Sequence, residues 1–99
     1  MKNTFNVIWS KRAKTDLKKI IDYFEENWTE KEIGTFFRKL DKQILIIQKQ
    51  PNAFPATKHK NVRRSVLSRQ TTIYYDILKD SVRIITLFDT RQSPEKIKF

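Results

Sequence analysis

Polar and apolar positions along the chain keep one period in its first half and another in its second. Phe5, Val7 and Trp9 alternate with Thr4, Asn6 and Ile8, which predicts a short strand. Ser10 stands where a helix N-cap belongs. Beyond it Ala13, Leu17, Ile20, Ile21, Phe24 and Trp28 recur every three or four residues, the apolar stripe of an amphipathic helix. Thr29-Glu30-Lys31-Glu32 is a capping-box pattern, so a second helix is expected to begin there. Ile33, Phe36, Phe37, Leu40, Ile44 and Ile47 carry its stripe. Gln50-Pro51 ends it, because a residue before proline disfavours helical angles. Residues 51–61 read as a loop, anchored by Phe54-Pro55.

Period two then returns. Val62, Arg64 and Val66 alternate with Arg63, Ser65 and Leu67. Ile73, Tyr75 and Ile77 alternate with Thr72, Tyr74 and Asp76. Lys79-Asp80-Ser81 is a turn. After it Val82, Ile84, Thr86 and Phe88 are expected on one face, and Arg83, Ile85 and Leu87 on the other. The order β-α-α-β-β-β predicts an α+β fold, with a helical hairpin packed on one face of a twisted antiparallel sheet. The chain is expected to be one domain over residues 1–99, with residues 92–99 a polar tail. It contains no internal repeat and no low-complexity segment.

Charge adds what periodicity leaves out. The net charge is +10. Residues 51–75 contain no acid, yet they hold Lys58, Lys60, Arg63, Arg64 and Arg69. Such a field attracts nucleic-acid backbones, acidic proteins or anionic surfaces; a domain that merely has a high pI is the plainer reading. The absence of cysteine removes disulfides, thiol catalysis and Cys-based zinc sites. No apolar run approaches the roughly 20 residues of a membrane span, and no secretory leader is expected. These points suit a cytoplasmic protein.

Chemistry has few candidates. Lys58, His59, Lys60, Arg63, Arg64 and Arg69 form a basic cluster that could bind phosphate, or could be a solvated loop. His59 is the only histidine, available for proton transfer or simply a surface residue. Alternation sends Arg63 and Arg64 to opposite sheet faces. Arg91 follows a strongly β-prone run, where Asp89 could hold it at a sheet rim or pair with it as a strand-end salt bridge. Tyr74 and Tyr75 face opposite ways; one reads as core, the other as plain surface or a stacking platform. Trp9 and Trp28 read as core. One His and scattered carboxylates offer no metal site, Gly34 alone makes no phosphate loop, and no cofactor is expected.

Taken in order, these residues resemble the RelE/ParE toxins of type II toxin–antitoxin systems. The likeness rests on Val7-Ile8-Trp9-Ser10, Ala13, Asp16-Leu17, Ile20-Ile21-Asp22-Tyr23 and Trp28. It continues through Leu40, Ile44, Pro51 and Phe54-Pro55 to Arg63-Arg64-Ser65-Val66, Ile73-Tyr74-Tyr75-Asp76-Ile77 and Val82-Arg83-Ile84, ending at Leu87-Phe88-Asp89-Thr90-Arg91-Gln92. The resemblance implies the same helical hairpin on a sheet. It also implies a cognate antitoxin, often with an acidic segment that wraps the toxin. RelE-like members cut mRNA on the ribosome, and ParE-like members inhibit DNA gyrase. Thr72 stands where the nuclease branch carries an Arg, and neither Tyr nor His follows Arg91. The helical half resembles ParE more closely. The expectation is therefore a gyrase inhibitor that is not itself an enzyme, with Lys58, Lys60, Arg63, Arg64, Arg69 and Arg91 as binding residues. The alternative is a ribosome-dependent mRNA endonuclease using Arg91, Arg64, Lys60 and His59. A third reading is a basic binding domain without toxicity.

Overall fold

The computed structural model describes residues 4–59 and 61–90. In chain order these form β1 (Asn6–Trp9), α1 (Lys11–Asn27), α2 (Glu30–Lys49), a 3-10 turn (Pro51–Ala53), β2 (Val62–Val66), β3 (Thr71–Ile77) and β4 (Ser81–Asp89). Lys60 and residues 91–99, Arg91 among them, lie outside the described residues.

Local chemistry sets both helix starts. The Ser10 Oγ accepts the Ala13 N–H at 2.9 Å and so caps α1. Thr29 and Glu32 make the expected capping box: the Thr29 hydroxyl accepts the Glu32 N–H at 3.3 Å, and the Glu32 carboxylate accepts the Thr29 N–H at 3.1 Å. Between the helices the Trp28 ring stacks on Phe24 at 4.0 Å, and Phe24 meets Phe36 edge-on. Trp9 and Trp28 pack, half-buried, against the core.

The strands lie in the order β1-β4-β3-β2. β2, β3 and β4 are antiparallel neighbours, but β1 runs parallel to β4. The sheet is thus mixed rather than antiparallel throughout. Alternation carries no information on strand direction, and a parallel pair needs a long connection, which α1, α2, β2 and β3 together supply. One face is covered by the hairpin. Its core joins Ala13, Phe24, Phe36, Leu40 and Ile47 to Ile73, Tyr75, Val82, Ile84 and Leu87. The Phe54-Pro55 loop is anchored as expected: Phe54 meets Tyr75 edge-on, and Ala56 bridges to Arg63.

Strict alternation fails within β4. Tyr74 pairs with Thr86 but Tyr75 pairs with Ile84, so Ile85 is an extra residue and the strand bulges. Past the bulge the faces exchange. Leu87 enters the main core, and Phe88 joins Val62, Tyr74 and Ile85 on the face away from the helices. The expected placement of both residues is corrected by this one insertion.

Candidate functional site

The face away from the helices carries a groove at its β2–β3–β4 end. Its walls are Arg64, Val66, Thr72, Tyr74, Phe88 and Thr90, closed by Phe54 and Pro55, and its volume is about 360 Å³. β2 supplies the exposed Arg64, whose backbone N–H donates to the Pro55 carbonyl at 3.0 Å. Tyr74 and Phe88 form the floor, ring to ring edge-on at 6.1 Å. Thr72 pairs with Phe88 across β3 and β4 and is buried. Thr90 is held by two bonds to the β2–β3 turn: its N–H donates to the Gln70 carbonyl at 3.0 Å, and its hydroxyl to the Arg69 carbonyl at 2.5 Å.

Next to this groove on the same face, Arg83 forks onto Asp76, with Nε at 3.1 Å from Oδ1. The hydrogen bond to Asp76, reinforced by its charge, holds the Arg83 guanidinium above its ordinary range. Ile8 pairs with Arg83 and is exposed beside it. Among the described residues the face therefore offers apolar area, two exposed guanidinium groups, Arg64 and the Asp76-paired Arg83, and the hydroxyls of Thr72, Tyr74 and Thr90. An Arg in such a setting grips a carboxylate or phosphate by a two-pronged fork.

The basic cluster is dispersed by the fold. Arg63 and Arg64 do face opposite ways. Arg63 turns to the helix side, where its guanidinium donates to the Phe54 carbonyl at 2.6 Å and the Asn52 carbonyl at 3.3 Å. It ties down a loop, which the expectation of a binding role did not anticipate. His59 sits in the turn before β2; its N–H donates to the Thr57 hydroxyl, and its carbonyl accepts the Val62 N–H. It is not part of the groove wall. Lys58 and Arg69 are exposed in the turns at either end of β2. Lys60, Arg91 and Gln92 lie outside the described residues.

Tyr75 is the core member of the tyrosine pair. Its hydroxyl donates to the Pro51 carbonyl at 2.6 Å. Burial pushes its phenol up to about 12, against the pull of the Arg63 guanidinium. Sequence reasoning missed the Asp76–Arg83 fork, although directly opposed, oppositely charged residues on neighbouring strands are its signal. It also missed the place of Phe88, which nothing in the alternation betrays.

The comparisons bear on this scaffold. The ParE toxin family of the type II toxin–antitoxin system parDE matches residues 7–94. None of the curated proteins matches the chain. Among solved structures, the chromosomal ParDE toxin–antitoxin system of P. aeruginosa superposes with a TM-score of 0.74 at 15% identity, over 89% of this chain and 98% of that one. The E. coli DinJ-YafQ complex gives 0.62 at 10% identity, over 89% and 94%. The YoeB dimer of Staphylococcus aureus gives 0.57 at 15% identity, over 86% and 95%. At such identities the structures speak to fold alone. The family match spans both helices, β2, β3, β4 and all of β1 but its first residue, so the chain belongs to the ParE toxin family of type II toxin–antitoxin systems.

Proposed function

We propose that this toxin acts by binding and inhibiting DNA gyrase, not by cleaving a substrate. It is neutralised by a cognate antitoxin that lays an acidic segment on it. Its place of action is the cytoplasm, where that target lies. The observation that carries the reading is the make-up of the open-face groove. Among the described residues its wall contains one cation, Arg64, with hydroxyls and rings, and a buried Thr72 where the nuclease branch has an Arg. RNA cleavage needs a base, an acid and cations converging on one phosphate. The groove wall instead suits recognition, with an aromatic floor and a forked anion grip. Arg64, and beyond the described residues Arg91, serve as anchoring cations, with Lys58, Lys60 and Arg69 adding to the surrounding field. The alternative assigns Arg91, Arg64, Lys60 and His59 to catalysis on ribosome-bound mRNA.

Two assays with the purified chain separate these readings. Inhibition of gyrase supercoiling with mRNA left intact on translating ribosomes is the expected result, with Arg64→Ala weakening the inhibition. Cleavage of mRNA that is lost in Arg91→Ala would overturn the gyrase reading. Growth arrest on expression, relieved by a small acidic protein from the neighbouring reading frame, is expected in either case. Its absence would favour a basic domain without toxicity.

A further inference from the structure

The bulge in β4 is gripped from the opposite side of the sheet. The N-cap Ser10 and Asp16 of α1 supply polar groups to four consecutive residues there. The Ser10 N–H donates to the Ile84 carbonyl at 3.0 Å, and the Ser10 hydroxyl to the Ile85 carbonyl at 2.7 Å. One and a half turns further along α1, the Asp16 carboxylate accepts the Leu87 N–H at 3.2 Å and also the Thr86 hydroxyl. Asp16 is half-buried beside Ala13, Leu17 and Ile20, residues of the apolar stripe, and Thr86 is almost wholly buried. A carboxylate placed there loses hydration, and the two donors of the bulge replace it.

The bulge decides which residues reach the open face. With Ile85 inserted, Phe88 lies against Tyr74 at the floor of the groove, and Thr90 reaches the β2–β3 turn. Without it, continued alternation would put Phe88 on the helix side and Leu87 in the groove. We propose that Asp16 is a positioning residue for the target-binding groove: it holds the β4 bulge from the helix side and thereby sets Phe88 beside Tyr74 and Arg64. This rests on the reading that the open face engages the target. Asp16 itself touches no target, so its effect passes through strand geometry.

The test uses Asp16→Ala, which removes the acceptor of both bonds, and Thr86→Val, which keeps the shape of residue 86 and removes one donor. Growth arrest in cells measures potency without assuming gyrase. Amide hydrogen exchange at Leu87 and ring-to-ring nuclear Overhauser contacts between Phe88 and Tyr74 measure the geometry. Ile47→Val, a core variant remote from the bulge, controls for general destabilisation. Asp16→Ala is expected to speed Leu87 exchange at least about tenfold, weaken the Phe88–Tyr74 contacts and lower potency about tenfold, which is the scale of one lost charge-assisted bond. Thr86→Val should do the same to a smaller degree, and Ile47→Val should keep potency. If Asp16→Ala does not fold, Thr86→Val alone decides. Unchanged Leu87 exchange and ring contacts overturn the proposal. So does loss of potency matched by Ile47→Val at equal stability, or altered geometry with full potency. Failure of the wild-type chain to inhibit gyrase would sink the gyrase reading alone, since growth arrest and exchange still report on Asp16.

Discussion

Tyr74 and Tyr75 show how one step along a strand separates two roles. Tyr74 lies on the open face with Phe88, while Tyr75 crosses the core to the Pro51 carbonyl. That bond and the Arg63 bonds to Asn52 and Phe54 fasten the 3-10 turn and the loop after it to the sheet. Tyr75→Phe should cost about 1–2 kcal/mol at neutral pH, because the Pro51 carbonyl is left without its donor. The cost should also depend on pH. The folded phenol titrates at about 12 rather than 10.0. Between those values the unfolded chain gives up a proton that the folded chain keeps, so the wild type loses stability as pH rises through that window. Phe has no such loss. The difference between the two proteins in urea unfolding should therefore shrink from about pH 9 to about pH 11; a constant difference would contradict the assignment. Gly34 makes a prediction of opposite sign. It lies inside α2, and an added Cβ would meet only the Arg38 guanidinium, at an ordinary 3.5 Å. Gly34→Ala should stabilise the protein by about 0.5–1 kcal/mol, read as a higher urea midpoint at unchanged slope.

At the scale of elements, what could be read from the chain was what a few neighbouring residues decide. Ser10 and the Thr29–Glu32 box announce the two helix starts because a cap needs only a hydroxyl and an amide three residues on. The stripes from Ala13 to Trp28 and from Ile33 to Ile47 announce the buried faces for the same local reason. The direction of β1 was not legible, since a strand alternates alike in parallel and antiparallel pairs. Nor was the inserted Ile85: Val82 to Phe88 alternates smoothly on paper, and only bonds from Ser10 and Asp16, some seventy residues away, mark the break. The groove was legible in part. Alternation put Arg64 and Val66 on one face, while Phe88 reaches the groove only through the bulge. Ser10 joins the two kinds of information, because its one hydroxyl caps α1 and binds Ile85. Ser10→Ala should thus destabilise by about 1–2 kcal/mol, more than Thr29→Ala at about 1 kcal/mol, whose capping box stands exposed. Equal costs in chemical denaturation would mean that the Ile85 bond contributes nothing.

For the molecule as a whole, the fold turns an uneven charge into a directed one. The chain carries +10, and from the acid-free stretch of residues 51–75 Arg64 lines the open-face groove together with Phe54, Pro55, Val66, Thr72 and Tyr74. Arg64 on β2 and Lys58 and Arg69 in the turns at its two ends are exposed, whereas Arg63 is spent on the loop and Arg83 is paired with Asp76. Exposed cations such as these three act at a distance. Their joint field should steer an acidic partner toward this face before contact. Steering acts on the rate of association and fades as salt shortens the screening length, from about 10 Å at 0.1 M to about 3 Å at 1 M. The double variant Arg64→Gln/Arg69→Gln should therefore bind the cognate antitoxin more slowly at low salt, by about three- to tenfold. It should converge on the wild-type rate near 1 M salt, and because both side chains are exposed its urea midpoint should barely move. Stopped-flow association over a salt series, with unfolding in parallel, checks all three points. A direct contact at Arg64 leaves a different trace: the dissociation rate rises, and it does so at every salt concentration, because a bidentate pair inside a formed complex is shielded from the ions. If dissociation carries the whole effect, the open face grips the antitoxin at Arg64 but does not draw it in.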